Sequence, residues 1–99
     1  NDVIAPVIDV PNSLEAGTDL LVEVKGSVFD DNEVVQITVD GDPINFANGK
    51  FKQKLFVKPG GQNIIITAMD KFGNQSSRTI KLTRSEILIS RNIFDIFID

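Results

Sequence analysis

Acidic side chains are the residues of this sequence with the greatest capacity for metal chemistry. Asp30, Asp31 and Glu33 lie within four consecutive residues, and Asp70 follows a later apolar run. Calcium takes about six to eight oxygen ligands, many of them carboxylates. If the strands run up and down, their loops bring these four residues to one end, and a weak calcium site is predicted there. The alternative, in which they are solvated turn residues, stays open because Asp favours turns.

The sequence lacks the residues on which most enzyme chemistry depends. It contains no Cys and no His, which excludes thiolate nucleophiles, Cys/His zinc sites and Ser-His relays. Two carboxylates about 5–9.5 Å apart can hydrolyse a glycosidic bond. Trp and Tyr, the usual platforms for sugar rings, are also absent. The chain is therefore predicted not to be an enzyme, with no catalytic and no cofactor-binding residue.

Charge and length narrow the range of partners. Ten basic and fourteen acidic residues give a net charge of −4 over 99 residues, which argues against binding to nucleic acid or to anionic lipid. No apolar run approaches the ~20 residues of a membrane-spanning helix, so membrane insertion is not expected. A chain of this length forms one hydrophobic core.

Short β-rich runs separated by Gly, Pro, Asn and Asp predict an all-β protein. Seven strands are expected, at 7–10, 20–29, 34–39, 42–46, 51–57, 63–70 and 80–82. In the third of these, alternation predicts that Val35, Ile37 and Val39 point inward. A single seven-stranded sheet would leave an apolar face in water, so the strands are expected to form an antiparallel β-sandwich. With seven alternating strands, the first and last strands leave it at opposite ends.

Turn residues predict how these strands are joined. The pairs Asp40-Gly41 and Asn48-Gly49 are typical of tight hairpins with positive φ angles. Asp70 is expected to close the next turn by accepting backbone hydrogen bonds, with Gly73 at positive φ. Gly26 falls in the buried register of the second strand, where a missing Cβ lets a bulky group approach.

Four stretches within residues 4–83 carry a family pattern: Ala5-Pro6-Val7-Ile8-Asp9-Val10-Pro11; Val24-Lys25-Gly26-Ser27-Val28-Phe29-Asp30; Val39-Asp40-Gly41 followed by Gly49-Lys50-Phe51; and Gly61-Gln62-Asn63-Ile64-Ile65-Ile66-Thr67-Ala68-Met69-Asp70 with Gly73-Asn74. In order and spacing they resemble the bacterial and archaeal immunoglobulin-like modules, Big or cadherin-like, of surface proteins and secreted hydrolases. The resemblance implies a seven-stranded immunoglobulin-like sandwich, at 1–83, that spaces, displays or adheres. An apolar extension then occupies 84–99.

Lysines concentrate on one face of the predicted fifth strand. Lys50, Lys52 and Lys54 alternate with apolar and polar neighbours, and Lys58 follows shortly after. They could attract an acidic partner. Lysines on a wet strand face also prevent edge pairing and aggregation, and this second interpretation is favoured.

The last residues are rich in apolar side chains that the seven strands do not need. Residues 84–99 carry eight large ones, and the predicted partner contacts are Ile93, Phe94, Ile96, Phe97 and Ile98. β-branched residues favour a strand here. Three fates stay open: the linker and first strand of a following module, a strand donated to another subunit, or an eighth strand or short helix on the same sandwich.

These observations predict a non-catalytic extracellular or cell-surface module that spaces or displays partner domains. Its partners would be neighbouring domains or identical subunits, contacted through the C-terminal segment. Two alternatives stay open. One is a self-assembling surface filament subunit joined by strand donation, and the other is a calcium-dependent adhesion or glycan-binding module.

Overall fold

The computed structural model describes residues 4–18 and 20–84, which form two β-sheets around a shared core. In chain order the strands are β1 (Val7–Asp9), β2 (Ser13–Ala16), β3 (Leu21–Phe29), β4 (Val34–Val39), β5 (Asp42–Pro43), β6 (Lys50–Phe56), β7 (Gln62–Asp70) and β8 (Gln75–Arg84). One sheet has the order β1-β3-β6 and the other the order β2-β8-β7-β4-β5. The predicted all-β sandwich is confirmed. In this part of the chain, no helix has the length and hydrophobicity needed to cross a membrane.

The three-stranded sheet is built around β3, which is antiparallel to both β1 and β6. A Cβ placed on Gly26 would lie 2.5 Å from Cγ1 of Val10 and 2.7 Å from Cζ of Phe51. Both of these side chains are buried in the core. The close approach predicted at Gly26 is therefore confirmed, and it is made by side chains of both neighbouring segments.

The five-stranded sheet is centred on β7, which pairs antiparallel with β4 and β8. Its alternation is the one predicted, because Ile64, Ile66 and Ala68 are buried. The largest fully buried apolar side chains of the core are Val24, Ile37, Val57, Ile64, Ile66, Ile80 and Leu82. They come from both sheets, so each sheet covers the apolar face of the other.

The described residues contain eight strands rather than the seven predicted, because the unpredicted strand β2 follows β1, which corresponds to the strand expected at 7–10. β1 pairs antiparallel with β3, whereas β2 pairs parallel with β8 in the other sheet. Pro11 lies between them and has no N–H to continue the first ladder. The signal for β2 in the sequence is weak, since only Leu14 and Ala16 alternate inward over four residues.

The third and fourth predicted strands, at 34–39 and 42–46, correspond to β4 and β5 and also differ from the prediction. The register between β4 and β7 shifts between Val34 and Gln36. This β-bulge turns Val35 outward, where it is 43% exposed, while Val34 packs against the core instead. The predicted strand at 42–46 is reduced to the two residues of β5, after which Ile44 still donates a backbone hydrogen bond to Ile37, at 2.9 Å.

The segment before β3 runs alongside β8 for most of its length. Ser76, near the start of β8, donates a hydrogen bond to the carbonyl of Pro6, and Ala16 pairs with Arg84 at the end of β8. The two segments therefore run in the same direction. Pro6 lies beside the start of β8 and Arg84 is its last residue, so these two residues lie at opposite ends of the sandwich. The predicted separation of the two ends is confirmed for these residues.

Candidate functional site

Three connections gather at one end of the sandwich, which we call the loop end: 30–33, 44–49 and 71–74. The N–H of Lys71 donates to the carbonyl of Glu33 at 2.9 Å, which joins the first connection to the third. The N–H of Val28 donates to the carbonyl of Gly49 at 2.7 Å, which joins β3 to the second. A cleft of about 490 Å³ opens here, with Asp30 and Phe46 among its lining residues. The predicted meeting of these loops is confirmed.

Asp70 is buried at this end and serves the turn between β7 and β8. Its Oδ1 accepts hydrogen bonds from the N–H groups of Phe72 and Asn74, both at 2.9 Å, and its Oδ2 accepts one from Nδ2 of Asn74 at 3.0 Å. The N–H of Gly73 also donates to the carbonyl of Asp70, at 3.0 Å, and Gly73 has a φ of 87°. The predicted turn is confirmed, and both carboxylate oxygens of Asp70 are engaged in it.

The other three acidic residues lie in the connection between β3 and β4. Oδ1 of Asp30 accepts a hydrogen bond from the N–H of Asn32 at 3.0 Å, whereas Oδ2 is buried without a hydrogen-bond partner among the described residues. Asp31 and Glu33 are exposed. Within 4–18 and 20–84, no three His, Cys, Asp or Glu side chains are grouped so that they could hold a metal ion.

The predicted calcium site is therefore not assembled as a group of four carboxylates. The physical reason is the turn itself, because the hydrogen bonds of Asp70 direct its carboxylate to Phe72 and Asn74. Calcium binding at this end of the sandwich, predicted for Asp30, Asp31, Glu33 and Asp70, stays a prediction.

The lysines lie on an edge strand. β6 is the last strand of its sheet, and Lys50, Lys52 and Lys54 are exposed on its outer face. Lys52 stands directly opposite Lys25 of β3, and like charges in this position repel. Lys25 forms an ion pair with Glu23, at 3.3 Å. The lysines thus occupy the position at which they discourage another strand from pairing.

An apolar contact at the other end of the sandwich was missed in the sequence. Leu21 of β3 lies directly opposite Phe56 of β6, and the two are 39% and 55% exposed. The guanidinium of Arg84 lies 5.6 Å from the centre of the Phe56 ring and donates to the carbonyl of Val57 at 2.7 Å. A signal was present, because Leu21 and Phe56 are large apolar residues at outward-facing positions of their predicted strands.

The predicted partner contacts in the C-terminal segment, Ile93, Phe94, Ile96, Phe97 and Ile98, lie outside the described residues. The proposed boundary between residues 83 and 84 also stays a prediction. β8 continues to Arg84, so the last described residue is still part of the five-stranded sheet.

Comparison with known proteins places this fold in a family. The family described as glucodextranase, domain B, matches residues 6–85, which is most of the chain. That domain is an immunoglobulin-like, non-catalytic accessory domain of a secreted hydrolase. The expected likeness to immunoglobulin-like modules of hydrolases is confirmed at this level. Neither the curated proteins nor the solved structures contain a match. From its match over residues 6–85, the chain belongs to the glucodextranase domain B family.

Proposed function

We propose that this chain is a non-catalytic, extracellular structural module that holds neighbouring parts of a secreted protein apart. The observation that carries the proposal is the placement of Pro6 and Arg84 at opposite ends of the sandwich. Membership in the glucodextranase domain B family supports it, because that domain is an accessory part of a hydrolase.

The geometry suits a spacer of defined length. β7 crosses the sandwich in nine residues, and at about 3.3 Å per residue this corresponds to roughly 30 Å between its two turns. β7 is paired along both sides, with β4 and with β8. The distance between the ends is therefore fixed by hydrogen-bonded sheet rather than by a flexible linker.

Direct support for a non-catalytic role comes from the loop end. The buried carboxylate there, Asp70, is occupied by three hydrogen bonds of its own turn. Asp31 and Glu33 are exposed, with no His or Cys in the whole sequence to serve as a partner base or nucleophile.

The end that carries Leu21, Phe56 and Arg84 supplies a contact surface for the adjoining part of the protein. Arg84 is the last described residue at this end, and in the sequence positions 86–99 contain eight large apolar side chains. Leu21 and Phe56 are adjacent across the two strands, and contiguous exposed apolar surface marks contact sites more often than single scattered side chains do. The partner in this proposal is a neighbouring domain of the same protein.

The spacer function is tested by measuring the distance between the two ends in the full chain. The sequence has no Cys, so spin labels attach only to introduced ones. The pair Lys58→Cys and Lys71→Cys, in the turns before and after β7, should give a narrow distribution near about 30 Å. The pair Leu21→Cys and Lys58→Cys lies at one end and should give a much shorter distance. A broad distribution for the first pair would contradict a rigid spacer.

The non-catalytic part of the proposal has a separate test. The purified chain is incubated with a panel of glucans, and the release of reducing ends is measured. We expect no release above that of a heat-denatured sample. Hydrolysis of any of these polymers by the folded chain would overturn this part of the proposal.

A further inference from the structure

The outer face of the three-stranded sheet carries two exposed apolar pairs, one at each end. At the first residue of β3, Leu21 lies opposite Phe56 of β6, and at the last residue, Phe29 lies opposite Val7 of β1. Phe29 and Val7 are 59% and 60% exposed. By strand alternation both pairs point away from the core. The nine residues of β3 hold the two pairs roughly 26 Å apart.

The pair at the loop end belongs to a small groove, which we call the entry groove. Its volume is about 200 Å³, and it is lined by Ile4, Ala5, Val7, Phe29, Asp30 and Asp31. A cavity of about 150 Å³ can hold a benzene ring, so the entry groove has room for one aromatic side chain. Its lining is apolar on one side and acidic on the other, which suits an aromatic ring that has a cation beside it.

The pair at the other end has the complementary chemistry. The exposed ring of Phe56 has the guanidinium of Arg84 at 5.6 Å from its centre. Lys58, two positions further along the chain, is also exposed. This end therefore presents an aromatic ring with positive charge next to it, and the entry groove presents apolar surface with negative charge next to it. The two ends of the same domain are complementary to each other rather than alike.

We propose that the entry groove receives Phe56 of a second copy of this domain, with Arg84 of that copy against Asp30 and Asp31. The inference rests on the proposed function, and it specifies the neighbouring domain as one that carries the same two surfaces. A head-to-tail contact uses two different surfaces, so each copy keeps one of them available for the next. The contact can therefore be repeated, and the modules then form a row that runs in one direction.

A contact between two ends is small, and its strength can be set against the concentration that a connected protein provides. Stable interfaces bury about 1,200–2,000 Å², far more than a few side chains supply, so separate copies are expected to bind weakly. Neighbouring domains joined by a short linker meet at an effective concentration of about 1 mM. A dissociation constant of about 1 mM or below is therefore sufficient to keep adjacent modules in contact.

The test separates the two surfaces by substitution and follows the contact by NMR on full chains. Phe56→Ser keeps the entry groove and is labelled with ¹⁵N, and Phe29→Ser keeps the other end and is added unlabelled. Both side chains are exposed, and urea unfolding checks that both variants fold. We expect saturable shifts of the amides that line the groove, with a dissociation constant of about 1 mM or below. No shifts, or a constant above about 10 mM, would overturn the proposal.

Two further unlabelled chains identify the surfaces that meet. The double variant Phe29→Ser, Phe56→Ser should cause no shifts, and shifts with it would overturn the proposal by showing contact through another part of the chain. Unlabelled Phe56→Ser should also cause none. Shifts with this chain would show that two entry grooves bind each other, which contradicts a head-to-tail contact.

A matched pair of charge reversals tests the electrostatic part without altering the apolar surfaces. In the labelled chain, Asp31→Lys should weaken binding at least about fivefold, because an attraction to Arg84 is replaced by a repulsion. Asp42→Lys reverses another exposed acidic residue, on β5 and outside the groove, and should leave the affinity unchanged. Equal affinities of the two variants would refute the pairing with Arg84.

Failure of this contact and failure of the spacer give different results. If the titration shows no binding while the two spin labels stay about 30 Å apart, the spacer stands and the head-to-tail contact falls. A broad distance distribution would reject the spacer whatever the titration shows.

Discussion

Asp70→Asn is the substitution whose effect follows most directly from the structure. The side chain is 1% exposed and accepts hydrogen bonds from the N–H groups of Phe72 and Asn74 and from Nδ2 of Asn74. Asparagine has nearly the same shape and keeps Oδ1 as an acceptor. Its new amide nitrogen replaces Oδ2, which lies 3.0 Å from Nδ2 of Asn74. The new amide group and Nδ2 of Asn74 are then two donors that face each other, at the place where the carboxylate of Asp70 had accepted a hydrogen bond.

The size of the effect can be worked from these contacts. A hydrogen bond to a charged group contributes about 1.5–3 kcal/mol, and a neutral one about 0.5–1.5 kcal/mol. The substitution removes the bond from Nδ2 of Asn74 and converts the two backbone bonds from charged to neutral. We expect the free energy of unfolding to fall by about 2–4 kcal/mol, a large part of the stability of a domain of this size.

The assay is urea unfolding of the full chain, with a matched control and a rescue. Asp40→Asn alters another turn residue, but that carboxylate is exposed and its Oδ1 can still accept the N–H of Ile65. Asp40→Asn should therefore lower the free energy of unfolding by about 0.5 kcal/mol or less. Asp70→Asn combined with Asn74→Asp exchanges the donor and the acceptor of the side-chain pair and should recover part of the loss. A change below about 0.5 kcal/mol for Asp70→Asn would refute the structural role given to this carboxylate.

Three further predictions concern the core, the edge strand and calcium. Gly26→Ala places a methyl group 2.5 Å and 2.7 Å from two core side chains and should lower the free energy of unfolding by about 1–3 kcal/mol; an unchanged urea midpoint would contradict the packing. Replacing Lys52 and Lys54 by Thr should cause concentration-dependent association in light scattering, whereas Lys25→Thr, in the middle strand, should not. If calcium binds near Asp30 with a dissociation constant of about 10⁻⁴–10⁻³ M, then 10 mM calcium stabilises the fold by about 1.4–2.7 kcal/mol. Asp30→Asn should remove this gain, and a melting temperature insensitive to calcium would reject the site.

Features decided by a few neighbouring residues could be predicted from the sequence. The Asp40-Gly41 pair has φ angles of 50° and 89°, as a two-residue hairpin with positive φ at both positions requires. Asp70 and Gly73 form the expected turn for the same local reason. The alternation of β7 could also be predicted. This strand lies in the interior of its sheet, between β8 and β4, and its inner face is buried along its whole length.

Features decided by distant contacts could not be predicted. Val35 was expected in the core because it is two residues from Ile37, but the bulge against β7 places Val34 there instead. Nothing in the local sequence marks this bulge. β2 has only Leu14 and Ala16 as inward residues, and its existence depends on β8, more than sixty residues later in the chain.

For the candidate site, the sequence located the acidic residues but not their geometry. That Asp30, Asp31, Glu33 and Asp70 belong to adjoining loops follows from the order of the strands. The direction of each carboxylate does not, because it depends on which backbone N–H groups the turn presents. At Asp70 the turn presents two. Those N–H groups satisfy the carboxylate within the fold, which is why convergence of the loops did not by itself bring the four carboxylates together.

The same reasoning applies to ligand binding at the loop end. A binding pocket needs polar groups that the fold leaves unsatisfied, and at the loop end the buried Asp70 is satisfied by its own turn. Residues 6–16 and β8 are joined by ladder pairs and by the side chains of Ser76 and Arg78. Because these two segments run in the same direction, their pairing holds Pro6 and Arg84 at opposite ends of the sandwich, which is the arrangement that the proposed spacer requires.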